Sequence, residues 1–327
     1  MTAQATRILF VGDMHLGTRP SRLPPAVGDP DELGPAGAWR RTVEAALEHG
    51  VQAVALAGDV VNQRNALIEA AAVLRPGLDR LAEAGITTLA VAGNHDTQAL
   101  PALLRGGAPL RLLGAGGRWE EQIVGGDGRP PARIVGWSFP RQRWPHSPLD
   151  SRPPAARPEL PTFGLLHADL DVATSSYAPV SSAALNTVGY DGWLLGHIHT
   201  PGEILHDGRP FYLGSLTGLD PTETGEHGPL LVTVASDGTI ERERLPLAPL
   251  RWDRWDVPCP ETVADAGHLQ DHLLHELETR TPALGLPPGT ALGVRVTLTG
   301  TTARPAAVAA LVEGLELPPP LPCAGVT

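Results

Sequence analysis

Five apolar runs, each mostly aliphatic, punctuate the chain: RILFVGDMH (7–15), VQAVALAGD (51–59), ITTLAVAGNHD (86–96), TFGLLHAD (162–169) and GWLLGHIH (192–199). Short runs of this kind, closed by glycine or a polar cluster, predict buried strands. Between them the period changes. Ala38–His49 and Ala66–Ala84 space their apolar residues as helices do and stop at Gly50 and Gly85, the second with a kink expected at Pro76. A shorter helix is expected after Ser181 or Ser182, either of which can cap it. Strands alternating with helices imply a layered α/β core.

The pattern shifts after residue 203. EILHDGRPFYLGS and GPLLVTVASDGTIERERL read as strands joined by Asp-Gly turns, which predicts an antiparallel second sheet region. LPLAPLRWDRWDVPCP reads as a Pro-rich link. Beyond it are expected a helix at His268–Thr279, a strand at Ala291–Thr299 and a helix opened by Pro305, with PPPLPCAGVT disordered. The expected division is therefore 1–247 and 248–327.

Composition narrows the function classes. A chain of 327 residues with 42% hydrophobic content can bury a large core. No apolar segment approaches the roughly 18 residues a membrane crossing needs. The apolar run before Asp13 is only five residues long, too short for a signal-peptide core, so a cytoplasmic protein without membrane contact is expected. Cys259 and Cys323 fit no CxxC spacing and predict two reduced thiols. All 25 basic residues are arginine, which excludes a Walker A lysine and Schiff-base chemistry on this chain.

A net charge of -11 argues against coating DNA by charge alone. A local exception lies between Arg118 and Arg157, where seven arginines face four acidic residues and alternate with tryptophans. Arg141, Arg143 and Trp144 are its candidate substrate contacts, able to meet phosphates and stack on bases. The plainer reading is a Pro-rich surface excursion whose arginines keep an acidic protein soluble.

The five strand ends carry the chemistry. Asp13 and His15 close the first, Asp59 the second, Asn94, His95 and Asp96 the third, His167 the fourth, and His197 and His199 the fifth. Alternate residues of a strand point the same way, so D-x-H and H-x-H each aim two ligands at one point. In open α/β sheets ligands gather at the carboxyl ends of strands, so these ends predict one shared metal site. Gly12, Gly58, Gly93 and Gly196 are expected to turn the backbone there. A phosphodiester repels an anionic nucleophile, and two divalent ions about 4 Å apart offset that repulsion while aligning the attacking and leaving oxygens. His49, His146, His206, His227, His268, His272 and His275 fit no motif and read as solvated surface.

In the order DMH, GD, GNHD, H and GHIH, the chain resembles the calcineurin-like metallophosphoesterases. HLG after Asp13, with YAPVSSAALNTVGYDGWLLGHIHTPGEI and YLGSLTGLDPTETGEHGPLLVTV, is similar more narrowly to SbcD-type DNA-repair exonucleases. The resemblance implies a four-layer α/β/β/α sandwich of two mixed sheets with a small C-terminal α+β capping domain. It implies Asp13, His15, Asp59 and His199 around one metal, and Asp59, Asn94, His167 and His197 around a second, with Asp59 bridging. Oxygen and imidazole ligands suit manganese, iron or zinc, and relatives of this type point to two Mn2+ ions.

His95, beside a ligand but not itself one, is expected to act as general acid to the leaving alkoxide or to stabilise the transition-state charge, with Asp96 orienting its ring; such proton transfer is worth roughly 100 to 10,000-fold. The implied activity is a DNA nuclease, an exonuclease with endonucleolytic cutting as a second mode, in double-strand-break repair. Implied partners are DNA, an SbcC-type SMC-like ATPase and a second copy of the chain. The match fades at the capping region, which leaves little room for an ATPase-docking segment. Asn62 in GDVVNQ departs from the apolar-aromatic-acid run common in SbcD-type proteins, which puts substrate choice in doubt. Two other readings share the ligands: a phosphodiesterase or phosphatase for small nucleotides, and a non-catalytic DNA-bridging subunit.

Overall fold

A computed structural model describes residues 5–24, 26–62, 67–260, 263, 265–300, 305–313 and 315. In chain order the elements are β1 (Thr6–Val11), α1 (Pro35–Glu48), β2 (Ala53–Leu56), α2 (Leu67–Glu83), β3 (Thr87–Ala90), α3 (Ala99–Arg105), β4 (Arg111–Leu112), β5 (Trp119–Gly126) and β6 (Arg129–Trp137). They continue with β7 (Thr162–His167), α4 (Ser182–Val188), β8 (Gly192–Gly196), β9 (Pro210–Tyr212), β10 (Leu230–Val234), β11 (Ile240–Arg244), β12 (Leu250–Pro258), α5 (Ala266–Arg280), β13 (Ala291–Thr299) and α6 (Pro305–Glu313). The five apolar runs are β1, β2, β3, β7 and β8, and Ser181 caps α4 by accepting from the Ala184 N–H at 3.2 Å. Ala66, Cys323 and the Pro-rich terminus fall outside the described residues.

Among the described residues, one sheet runs β11-β10-β1-β2-β3-β4 and a second runs β5-β6-β7-β8-β9. Both are mixed. Alternation along the strands builds the layers. Leu9, Val11, Val54 and Leu56 pack with α1 and α2, whereas Ile8, Phe10, Ala53 and Ala55 meet Phe163, Leu165 and Leu194 between the sheets. Trp193, Leu195 and Leu166 then face outward and pack with Leu185 of α4. The result is the α/β/β/α sandwich that the resemblance implies, with three stacked cores in place of one.

Two expectations after residue 203 need correction. The stretch 203–245 divides between the sheets: β9 lies parallel to β8, and only β10 and β11 form an antiparallel hairpin on the other sheet. The supposed Pro-rich link is β12, paired in parallel with β13 along nine residues. Its tryptophans fit this: Trp252 and Trp255 are each 7% exposed and, three residues apart, leave an extended strand on opposite faces, so β12 is covered on both sides. The Trp252 indole N–H also donates to Gly218 O at 3.2 Å, and the Gly225 N–H to Trp252 O at 2.9 Å, fastening β12 to the sandwich. No helix among the described residues is long and apolar enough to cross a membrane.

Candidate metal centre

Every site residue read from the strand ends meets at one edge of the sandwich. Asp13, Asp59 and Asn94 come from loops following β1, β2 and β3 of one sheet. His167 ends β7 of the other, and His197 and His199 follow β8. Asp13, His15 and His199 offer ligand atoms within 4.8 Å of one another, and so do Asp13, Asp59 and His167. Asp59 Oδ2 stands 3.3 Å from His167 Nε2 and 3.9 Å from His15 Nε2, so one oxygen faces both groups. Asp13 also belongs to both, a sharing that the spacing alone did not suggest.

The backbone is strained where it holds these residues. His15, Asp59 and His197 have φ of 48°, 48° and 104°, a region that costs a non-glycine residue of order 1–3 kcal/mol. The expected role of the glycines changes accordingly. Of the four, only Gly58 has positive φ, at 90°. A Cβ at Gly12 would strike Gly214 O, at Gly93 the Asp59 carboxylate, and at Gly196 Ala57 O, so these three provide room rather than a turn.

Hydrogen bonding shows whether the cluster suits a cation. His167 Nδ1 is 3.1 Å from Ala57 O and donates to it, which turns Nε2 inward toward Asn94 Oδ1 at 3.0 Å and His197 Nδ1 at 3.2 Å. The outer nitrogen of His197 faces Asp169 Oδ1 at 3.3 Å. With neutral imidazoles, His167 Nε2, His197 Nδ1, Asn94 Oδ1 and Asp59 Oδ2 are four acceptors with no donor among them, which only a proton or a cation relieves. His15 Nε2 and His199 Nε2 meet at 2.9 Å, a contact that needs a proton on one nitrogen or a cation between them, while the buried His15 Nδ1 has no partner. The residues present therefore fit divalent ions, and a set of oxygen and imidazole donors suits hard to borderline metals.

Electrostatics point the same way. Burial pushes Asp13 up to about 6 although His167 pulls it down. Burial opposes the Asp59 charge too, but His167, His15 and His95 outweigh it and hold Asp59 below the ordinary carboxylate range. Burial also opposes the charge on His167, and Asp59 and Asp13 overcome it, raising His167 to about 9. His15 is lowered to about 4, chiefly by burial. The two buried carboxylates thus demand positive charge at their centre.

His95 stands apart from the inward atoms, its side chain 31% exposed and its Nε2 3.9 Å from Asp59 Oδ2. Its main-chain N–H donates to Asp59 Oδ1 at 3.0 Å. Asp96 does not orient its ring. That carboxylate is fully buried and accepts the N–H groups of Val60 (3.1 Å), Val61 (3.0 Å) and Gly93 (3.1 Å), tying the β2 loop to the β3 loop. Three main-chain donors close by capture Asp96, so the adjacent imidazole goes without it.

The Arg118–Arg157 stretch is no uniform groove. It includes β5 and β6, and Arg133 is wholly buried, bonded to Glu121, Thr162 and Ala155 O. Arg141 and Arg143 are exposed, and the Arg141 guanidinium lies 5.2 Å over the half-buried Trp144 ring. Trp144 pairs through its main chain with Ser176 and Ala178, and the intervening Tyr177 ring sits 5.1 Å from that of His197.

The residues behind the candidate ligands carry no signal in the strand pattern. Glu223 Oε1 is 2.8 Å from His199 Nδ1, and Asp169 holds His197. His227, expected on the surface, is 1% exposed, with Nδ1 2.9 Å from Ser215 O and Nε2 3.2 Å from Glu223 O. The ETGEHG segment (223–228) carries no periodicity, so its only signal was an acid and a histidine spaced closely after the last strand end.

A layered sandwich with Asp, Asn and His gathered at strand ends defines a metallophosphoesterase. The family model "Calcineurin-like phosphoesterase" matches residues 6–201, and the chain belongs to that family, whose members use divalent metal ions. It is 30% identical over 278 residues to "DNA double-strand break repair protein Mre11" of Haloferax volcanii, covering 79% of this chain and 56% of the relative. It is 27% identical over 248 residues to "Uncharacterized metallophosphoesterase YhaO" of Bacillus subtilis, covering 68% of this chain and 55% of the relative. The chain thus spans little more than half the length of these curated relatives. Among solved structures, the calcineurin-like phosphoesterase YfkN from Bacillus subtilis is 11% identical with a TM-score of 0.45, covering 86% of this chain and 99% of that one.

Proposed function

We propose that this chain is a two-metal DNA nuclease, cutting phosphodiester bonds as an exonuclease in double-strand-break repair. Two Mn2+ ions are the assigned cofactors, one held by Asp13, His15, Asp59 and His199 and the other by Asp59, Asn94, His167 and His197. The observation that carries the reading is the flank beside His197. Tyr177 against that ring, with Trp144 and its stacked Arg141 on the paired segment, sets aromatic faces and a cation next to the centre. Nucleic-acid strands bind to such combinations by base stacking and phosphate contact. The name of the Haloferax relative agrees with this reading.

Bound at this centre, the ions would offset the diester's negative charge and supply a nucleophilic water at neutral pH. The chain does the rest. Asp13 and Asp59, buried, hold the negative charge that fixes the centre in place. His95, half-buried at the rim, is placed to give a proton to the leaving alkoxide. Arg141, Arg143 and Trp144 would position the strand.

The test is Mn2+-dependent digestion of linear and circular DNA beside bis-p-nitrophenyl phosphate and a cyclic nucleotide, with His95→Ala as the control. DNA degradation that falls by roughly 100-fold or more in His95→Ala is expected. Turnover of the small diesters with DNA left intact overturns the nuclease reading in favour of small-nucleotide hydrolysis. Without hydrolysis of any substrate, the DNA-bridging role takes its place.

A further inference from the structure

The outermost ligand of the centre is controlled by a residue outside the strand ends. Glu223 lies 24 residues beyond His199, between β9 and β10, and its side chain is 13% exposed. Its oxygens are fully used. Oε1 accepts the His199 Nδ1–H at 2.8 Å, while Oε2 accepts the Ser215 hydroxyl at 2.9 Å and the Leu219 N–H at 3.0 Å. The Ser215 N–H in turn donates to His199 O at 2.8 Å, so one carboxylate and one serine grip the ring and the main chain of the same residue.

This geometry fixes a tautomer. A carboxylate can only accept, so the nitrogen facing it must carry the proton, and the lone pair of a neutral His199 is left on Nε2, the atom that meets His15 Nε2. Resting on the two-metal reading above, we propose that Glu223 is the positioning residue that holds His199 with Nε2 bare toward the centre.

The segment that carries Glu223 is itself secured from the C-terminal side. Thr224 bridges Trp252 of β12, the Gly225 N–H donates to Trp252 O at 2.9 Å, and the indole N–H donates to Gly218 O at 3.2 Å. His227 fills the space behind, its ring between Ser215 O and Glu223 O. Glu223 is thus held on both flanks.

Glutamine at 223 is the informative change, because it keeps the shape and loses the pattern of acceptors. Its amide must turn NH2 either toward His199, forcing the proton onto Nε2, or toward the Leu219 N–H, setting donor against donor. A space-filling role would tolerate the exchange, and a positioning role would not.

The experiment compares the full chain with Glu223→Gln and Ser215→Ala in two measurements. In the metal-free protein at alkaline pH, long-range nitrogen-proton NMR locates the His199 proton: Nδ1 is expected in the parent and Ser215→Ala, and Nε2 in Glu223→Gln. Mn2+ titration followed by the EPR signal of the free ion should show one of two sites weakened about 10 to 100-fold in Glu223→Gln, the other unchanged. If Glu223→Gln keeps the proton on Nδ1 and binds both ions as the parent does, the proposal is overturned. Should Glu223→Gln melt well below the parent, the parent spectrum still decides, since a proton found on Nε2 there contradicts the assignment. DNA left intact by a protein that passes both measurements would remove the nuclease reading alone.

Discussion

His167 and His199 serve the same centre and are held in opposite ways. His167 is fully buried, its Nδ1 anchored 3.1 Å from a main-chain carbonyl on β2's exit and its ring edged by Phe139 at 5.8 Å. The His199 side chain is 32% exposed and is anchored by a carboxylate from a distant loop. The first arrangement follows from strand register; the second depends on where a loop settles. The difference teaches that one half of the centre is part of the core, while the other is attached to it and should be separable by mutation.

Substitutions can break that comparison at several strengths. The largest effect is expected from His167→Ala in the presence of a chelator, because it leaves Asp13 and Asp59 buried without their positive partner. A loss of about 3 to 5 kcal/mol in urea unfolding should result. A loss below about 1 kcal/mol would mean that the inner half does not belong to the core. Asp96→Ala comes next. It orphans three main-chain N–H groups and should destabilise by about 1 to 3 kcal/mol, whereas a stable variant with slowed turnover would restore Asp96 as the partner of His95. His199→Ala should change stability by under about 1 kcal/mol while weakening Mn2+ binding in titration. Unfolding on a par with His167→Ala would erase the distinction between the halves.

The same contrast explains what could be read in advance. The five strands and the convergence of seven candidate ligands were legible because aliphatic runs fix strands, strands fix direction, and polar residues at consecutive strand ends must converge. Glu223 and Asp169 were not, because an acidic residue in a loop reads as solvated until the fold brings an imidazole to it. Asp96 was placed correctly at the centre and given the wrong partner, since adjacency in sequence says nothing of three N–H groups arriving from elsewhere. For β9 and β12 the missing information was which sheet the chain would join, and pairing partners distant in sequence decide that.

Asp13, Asp59 and Asn94 hang from one sheet, and His167, His197 and His199 from the other. The centre therefore straddles a seam. Any ion gripped from both sides fastens two slabs that otherwise adhere through apolar contact and scattered hydrogen bonds such as His167 Nδ1 to Ala57 O, resisting shear between them as a stitch resists the parting of two cloths. A ligand that grips only the closed seam adds to folding stability by mass action, about 2.7 kcal/mol at a hundredfold excess over its Kd. The cargo of this edge is thus also a fastener, and the availability of metal becomes a setting of the protein's mechanical cohesion as much as of its chemistry.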